Sequence, residues 1–178
     1  MKTKVDALEY SSHIFNELKN GFLITAKAND RLNSMTISWG MLGVEWNKLI
    51  FITFIRENRF TKSLLDTNPE FTVNIPYGDF DRNIINYCGT NSGHNVDKFK
   101  DLNLTIEEPS IVTVPAIKEL PLTLECKIIY KQKQNKEEIS KEDLSKFYPN
   151  DVDSTFHGAN KDIHIAYYGE IVDSYIVK

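Results

Sequence analysis

The sequence predicts a mainly β chain of the α+β class, an antiparallel barrel or sandwich with helices inserted between its strands. Three observations lead there. Segments rich in β-branched and aromatic residues recur at irregular intervals, as in Leu49–Ile55 and Ile163–Val177. Polar turn clusters separate them, and the intervening helical patterns are too few and too uneven for alternating βαβ units. With 178 residues, 41% of them apolar, the chain is long enough to bury a core without disulfides or metals.

The elements follow in order. Gly21 to Lys27 reads as a strand leading into Asn29-Asp30-Arg31, whose short polar side chains favour a hairpin. Asn33 to Trp39 forms the return strand, with Ser34, Thr36 and Ser38 on one face and Met35, Ile37 and Trp39 on the other. Leu49 to Ile55 is continuously apolar, which predicts a central strand buried on both sides. A helix starts after it, with Asn58 as N-cap, Phe60, Leu64 and Leu65 at helical spacing, and Pro69 as a stop. Phe71–Ile75 alternates as a strand, and Phe80, Ile84, Ile85 and Tyr87 mark a helix ending at Gly89. Cys88-Gly89-Thr90-Asn91-Ser92-Gly93 reads as a polar loop, and Asp97 to Leu102 as one helical turn.

Leu122 to Tyr130 is a strand with Leu122, Leu124, Cys126, Ile128 and Tyr130 on one face, which puts Cys126 in the core. Residues 131–160 are a polar excursion from the single domain, 1–178, with a small surface helix carrying Ile139, Leu144, Phe147 and Tyr148. Ile163 to Val177 closes the fold, with a kink or bulge at Gly169.

Composition narrows the function. The 21 Lys and Arg against 25 Asp and Glu leave a net charge of −4, which disfavours a nucleic-acid partner. No apolar stretch is long enough to span a membrane and no secretory leader is present, so the expectation is a cytoplasmic protein with no membrane association. Two cysteines, Cys88 and Cys126, do not make a disulfide framework. The four histidines lack the short spacings of a zinc site, so no metal is expected, and His164 reads as a hydrogen-bonded structural imidazole. Cys88 reads as a structural or ligand-lining thiol.

No Rossmann fingerprint or Walker loop occurs. Arg56-Glu57-Asn58-Arg59-Phe60-Thr61-Lys62 instead gathers guanidinium groups, a hydroxyl and helix-start N–H groups, the makings of a phosphate cradle. A solvated, charged helix start is the competing reading. The hydroxyl face of Asn33–Trp39, which reads equally as a solvent-facing edge, and the Gly89–Gly93 loop supply two further donor clusters. Trp39 or Trp46 is suited to cover a flat ring, with a buried core tryptophan the competing and commoner role. Together they indicate a cleft for a phosphorylated, planar ligand.

Asn33-Ser34-Met35-Thr36-Ile37-Ser38-Trp39-Gly40 resembles the N-x-M-T-x-S-W-G signature of the flavin reductase-like, FMN-binding split-barrel proteins, which include the flavoredoxins. Ile55-Arg56-Glu57-Asn58-Arg59-Phe60-Thr61, then Cys88–Gly93, Asp97-Lys98-Phe99 and His164–Val172 follow in the family's order. Only the 131–160 excursion resembles nothing in that pattern, and Leu49 stands where many relatives have Pro. The resemblance implies a split β-barrel that forms a homodimer and binds FMN near the subunit interface. It implies that Asn33, Met35, Thr36, Ser38 and Trp39 line the flavin, that Arg56, Asn58, Arg59 and Thr61 hold its phosphate end, and that Cys88, Gly89, Thr90, Ser92 and Lys98 close the other side. Backbone N–H groups or Lys98 would stabilise the negative charge of the reduced ring.

The implied activity is transfer of hydride from NAD(P)H to flavin, with electrons passed on to free flavin, a metal complex or a redox protein partner. The rival readings are a non-enzymatic FMN-binding electron carrier reduced by a protein partner, and a barrel that has lost flavin and serves as a scaffold.

Overall fold

The computed structural model describes residues 1–153 and 160–178. The chain opens with β1 (Lys2–Lys4) and α1 (Ser11–Asn20), neither of which the sequence reading assigned. Next come β2 (Phe22–Ala28), β3 (Arg31–Ile37), β4 (Gly40–Glu45), β5 (Lys48–Arg56) and α2 (Phe60–Thr67). After β6 (Glu70–Ile75) stand α3 (Asn83–Thr90), α4 (Lys98–Asp101), β7 (Ile106–Glu107) and β8 (Ala116–Ile117). The chain ends with β9 (Leu122–Lys133), α5 (Lys141–Phe147) and β10 (His164–Val177).

The two-residue turns explain the hairpins. Asn29 and Asp30 (φ 47° and 61°) join β2 to β3, while Trp46 and Asn47 (φ 50° and 59°) join β4 to β5. Paired positive φ values match the right-handed twist of the strands, and Asn and Asp tolerate them. The main sheet runs β3-β2-β6-β9-β10-β5-β4, with β1 added on β10, and the pairings are antiparallel.

This sheet curls. Phe22 on β2 and Phe51 on β5 have three strands between them in the sheet order, yet their ring centroids lie 6.0 Å from each other. One apolar core therefore collects Phe22, Ile24, Phe51, Ile55, Phe71, Val73, Leu124, Cys126 and Tyr167 from five strands and α2's Leu64 and Leu65. The path ends at β3 and β4, which are consecutive in sequence but unpaired, so the barrel is open between them. The second face of β2 carries Leu23 into a smaller cluster with Ile84, Ile85 and Cys88 of α3.

Gly169 sits at a register shift between Tyr168 and Gly169, the bulge expected there. A Cβ at 169 would come within 2.5 Å of Phe71 Cζ, so glycine lets the core ring approach β10.

Four expectations are corrected. The return strand stops at Ile37, and Ser38 and Trp39 cross the open seam. Its hydroxyls are already engaged: Ser34 Oγ lies 2.7 Å from Thr25 Oγ1, and Thr36 Oγ1 donates to Ile85 O. β5 is buried on one face only, because Ile52 and Phe54 face partly outward and β4, its neighbour, is an edge strand. Asn58 is not the cap of α2, since Arg59 occupies that position without a side-chain cap bond. Cys88, Gly89 and Thr90 form the last turn of α3, where Cys88 adds its buried side chain to the apolar face of Ile84 and Ile85. Among the described residues, no helix is long and apolar enough to cross a membrane.

Candidate functional site

The open seam carries the site. At it, the β3–β4 link, the C-terminal end of β5, the start of β10 and the end of α5 surround a cavity of about 410 Å³. Met35, Thr36, Ile37, Ser38 and Trp39 line one side, and Phe54, Arg56, Arg59, Lys146, Phe147 and His164 the other. A small polar chamber of about 70 Å³ adjoins it and shares Met35, Thr36 and Arg59. Asn33, Asn58, Phe60, Thr61, Cys88, Gly89, Asn91, Ser92, Gly93 and Lys98 complete that chamber. The larger volume falls in the range of small-molecule sites, about 300–1,000 Å³.

Thirteen of the fourteen residues named from the sequence therefore line one chamber or both. Thr90 does not: its hydroxyl donates to Asn86 O on the outer side of α3. The structure adds Phe54, Lys146, Phe147 and His164. For His164 a signal existed, because antiparallel pairing of the last strand with β5 sets it directly opposite Arg56. Phe147 had none, because the polar stretch that carries it resembles nothing in the family's pattern.

The electrostatics are one-sided. Arg56, Arg59 and Lys146 face the large chamber, Arg59 and Lys98 the small one, and among the described residues no carboxylate lines either chamber. In a chain of net charge −4, this concentration selects an anionic ligand. Arg59 lies at the junction. Its side chain makes no hydrogen bond or ion pair among the described residues, and burial lowers its pKa against the opposing pull of Asp162. The N-terminus of α2, with Phe60 and Thr61 as its first residues, lies beside it and adds outward-pointing N–H groups to the small chamber.

Lys98 is buried, and its Nζ donates to Ser34 O and Cys88 O, each at 2.8 Å, tying α4 to β3 and to the end of α3. Burial pulls its pKa down to about 8. The Cys88 thiol is pushed up to about 11 by burial, so it stays protonated and is a poor nucleophile at neutral pH. Asn33 Nδ2 donates to Thr61 Oγ1 at 2.8 Å, which locks β3 to the start of α2.

The ring side of the site is aromatic. Trp39 meets Phe147 edge-on at 5.1 Å and lies 4.8 Å from His164. Tyr148 Oη lies 2.7 Å from His164 Nδ1, the hydrogen bond expected for a structural histidine. Burial, then Arg56 and Arg59, hold the imidazole down to about 3, so it is neutral.

Arg56 departs from the cradle expectation. Its Nη1 donates to Asn160 O, Asn160 Oδ1 and Asp162 O, and its Nη2 donates to Phe147 O at 2.9 Å. These donors are committed to the 131–160 excursion and the approach to β10, so the excursion forms part of the site.

The fold and cleft thus define an antiparallel barrel, open at one seam, with a cationic chamber beside an aromatic one. The chain belongs to the flavin reductase like domain family, whose profile it matches over residues 19–177. It is a split barrel of that family. An uncharacterised protein of Archaeoglobus fulgidus is 31% identical over 100 residues, covering 56% of this chain and 55% of that one. The chain thus spans about half the length of that curated relative. Flavoredoxin from Methanosarcina acetivorans superposes with a TM-score of 0.65 at 22% identity, over 89% of this chain and 68% of that one. The FMN-binding domain of a flavin reductases-like enzyme from Shewanella baltica OS155 gives 0.64 at 12% identity, over 99% and 77%.

Proposed function

We propose that this chain is an FMN-dependent oxidoreductase of the flavin reductase or flavoredoxin type, taking reducing equivalents from NAD(P)H and passing electrons to an acceptor. One observation carries the reading: in an acidic chain, a cleft whose described lining holds no carboxylate joins Arg59, at a helix start and without a hydrogen-bond or ion-pair partner among the described residues, to an aromatic chamber. The residues fit the cofactor. Arg59, the first N–H groups of α2, Thr61 and Ser92 offer the donor set a phosphate requires, with Lys98 adding charge behind them. Met35, Trp39 and Phe147 offer flat apolar surface for a ring and shield it from water.

Bound FMN would supply the redox chemistry, with the protein contributing position and electrostatics. The chain's own groups agree with that division. His164 is neutral and Cys88 is protonated at neutral pH, so neither offers an imidazolium acid or a thiolate nucleophile, and hydride transfer to a flavin needs neither. Lys98 and Arg59 keep the cleft positive, which favours a reduced, anionic ring.

The domain, spanning 1–178, would work as a homodimer, pairing through the outer face of β4. That strand is an edge of the sheet, and Met41 and Val44 on it and Trp46 in the turn that follows are exposed. Its two free thiols support a reducing, cytoplasmic setting.

Anaerobic titration of FMN-loaded protein with NADH and then NADPH tests the activity. Bleaching of the visible flavin band at a catalytic rate is expected. A flavin that binds but stays oxidised makes the chain an electron carrier fed by a redox protein partner, and failure to retain FMN overturns the reading.

A further inference from the structure

Arg56 is almost fully buried, yet its charge is spent on the chain itself. Its acceptors include Phe147 O, Asn160 O and Oδ1, and Asp162 O, which lie 91 to 106 residues away in sequence. The guanidinium also lies over the Tyr148 ring, 5.0 Å from its centroid. Tyr148 in turn donates to Gln134 Oε1 and meets His164 Nδ1. The planar fork therefore joins β5 to the end of α5 and to the approach of β10 in one network. The side chain so held in the large chamber is Phe147, set edge-on against Trp39.

We propose that Arg56 is a positioning residue: it seats Phe147 against Trp39 as the wall that grips the ring end of the ligand, and leaves recognition of the phosphate end to Arg59. A lysine cannot replace it, because one ammonium does not reproduce a fork serving acceptors on Phe147, Asn160 and Asp162. The ligand part of this inference rests on the flavin reading, whereas the seating of Phe147 does not.

Two readouts separate the possibilities. The first is limited trypsinolysis without ligand, following cleavage after Lys146, the exposed residue preceding Phe147. Arg56→Lys should be cut there at least about tenfold faster than wild type, because several charge-assisted bonds holding that turn are lost. Arg59→Ala should be cut at the wild-type rate. The second is the dissociation constant for FMN and for riboflavin, which lacks the phosphate. Arg56→Lys should weaken both by a similar factor, about tenfold, and keep their ratio within about twofold of wild type.

Phe147→Ala, which leaves Arg56 intact, should show the same parallel loss and answers the question if Arg56→Lys does not fold. Unchanged cleavage at Lys146 in Arg56→Lys, or a fall in the FMN-to-riboflavin preference in that variant, overturns the proposal. Wild-type protein that binds neither compound sinks the flavin reading, while the cleavage rates still decide whether Arg56 seats the wall.

Discussion

Gly93→Ala offers a local test of how the small chamber is built. Gly93 is buried, Arg31 Nη2 donates to its carbonyl at 3.2 Å, and Arg31 lies over the Phe60 ring at 4.9 Å. A Cβ at this position would run into Asn33 Oδ1 and come within 2.6 Å of Phe60 Cδ1, against 3.4 Å for ordinary contact. The structure can respond in two ways. If Asn33 turns away, its bond to Thr61 is lost in a buried setting, at a cost of about 1–3 kcal/mol. If the loop lifts instead, the strain of overpacking costs a similar amount, about 1–3 kcal/mol.

Either response lowers stability by that amount, and either distorts Asn33, Thr61 and Ser92, which line the chamber. Urea unfolding should show a lower midpoint with an unchanged slope, and FMN affinity should fall more than riboflavin affinity. Gly43→Ala is the control, because a Cβ there meets nothing within 4 Å. A Gly93→Ala protein within about 0.5 kcal/mol of wild type, the range of inert surface changes, would refute the reasoning.

Two further predictions concern pH. His164 is held down to about 3 in the fold, mainly by burial and then by Arg56 and Arg59, against about 6.5 when unfolded. Between those values the unfolded chain binds a proton that the native one does not, so stability falls as pH falls, by up to about 1.4 kcal/mol per unit from this residue. The difference between wild-type and His164→Gln unfolding free energies should change across that window, and parallel curves would refute the assignment. Lys98, lowered to about 8 by burial, should weaken FMN binding as pH rises from 7 to 9, because an anion binds best while the lysine keeps its proton. The phosphate itself is already doubly charged there, its second pKa being about 6, and Cys88, at about 11, does not titrate in that window. Lys98→Met should remove the dependence, as measured by fluorescence titration at each pH, and a dependence that survives would assign it elsewhere.

Much of the fold was legible because its signals are local. Asn29-Asp30 names its own turn, the apolar runs name their strands, and Gly169 marks its bulge. β4 escaped notice because Met41, Val44 and Trp46 are exposed, so their apolar character follows no core pattern. Cys88–Thr90 looked like a loop because glycine and threonine are weak helix formers, yet packing of Cys88 with Ile84 and Ile85 extends α3 through them.

At the site, residue identity was readable but role was not. Arg56 and Arg59 are alike in sequence and differ only in what reaches them. Carbonyls from the far end of the chain occupy Arg56, whereas no hydrogen-bonding or ion-pairing partner among the described residues reaches Arg59. The excursion looked peripheral for the same reason: its charged surface hides Phe147, which lines the cleft, and Tyr148, which bonds His164 behind it.

The central claim is that this cleft holds a flavin by its phosphate at Arg59. Calorimetric titration of wild type and Arg59→Ala with FMN and with riboflavin, at one fixed ionic strength, tests it directly. The account predicts that wild type prefers FMN by about tenfold or more, the worth of a charge-assisted phosphate contact, and that the preference collapses toward parity in Arg59→Ala. Equal affinity of wild type for the two compounds, or a preference untouched by removing Arg59, would contradict it.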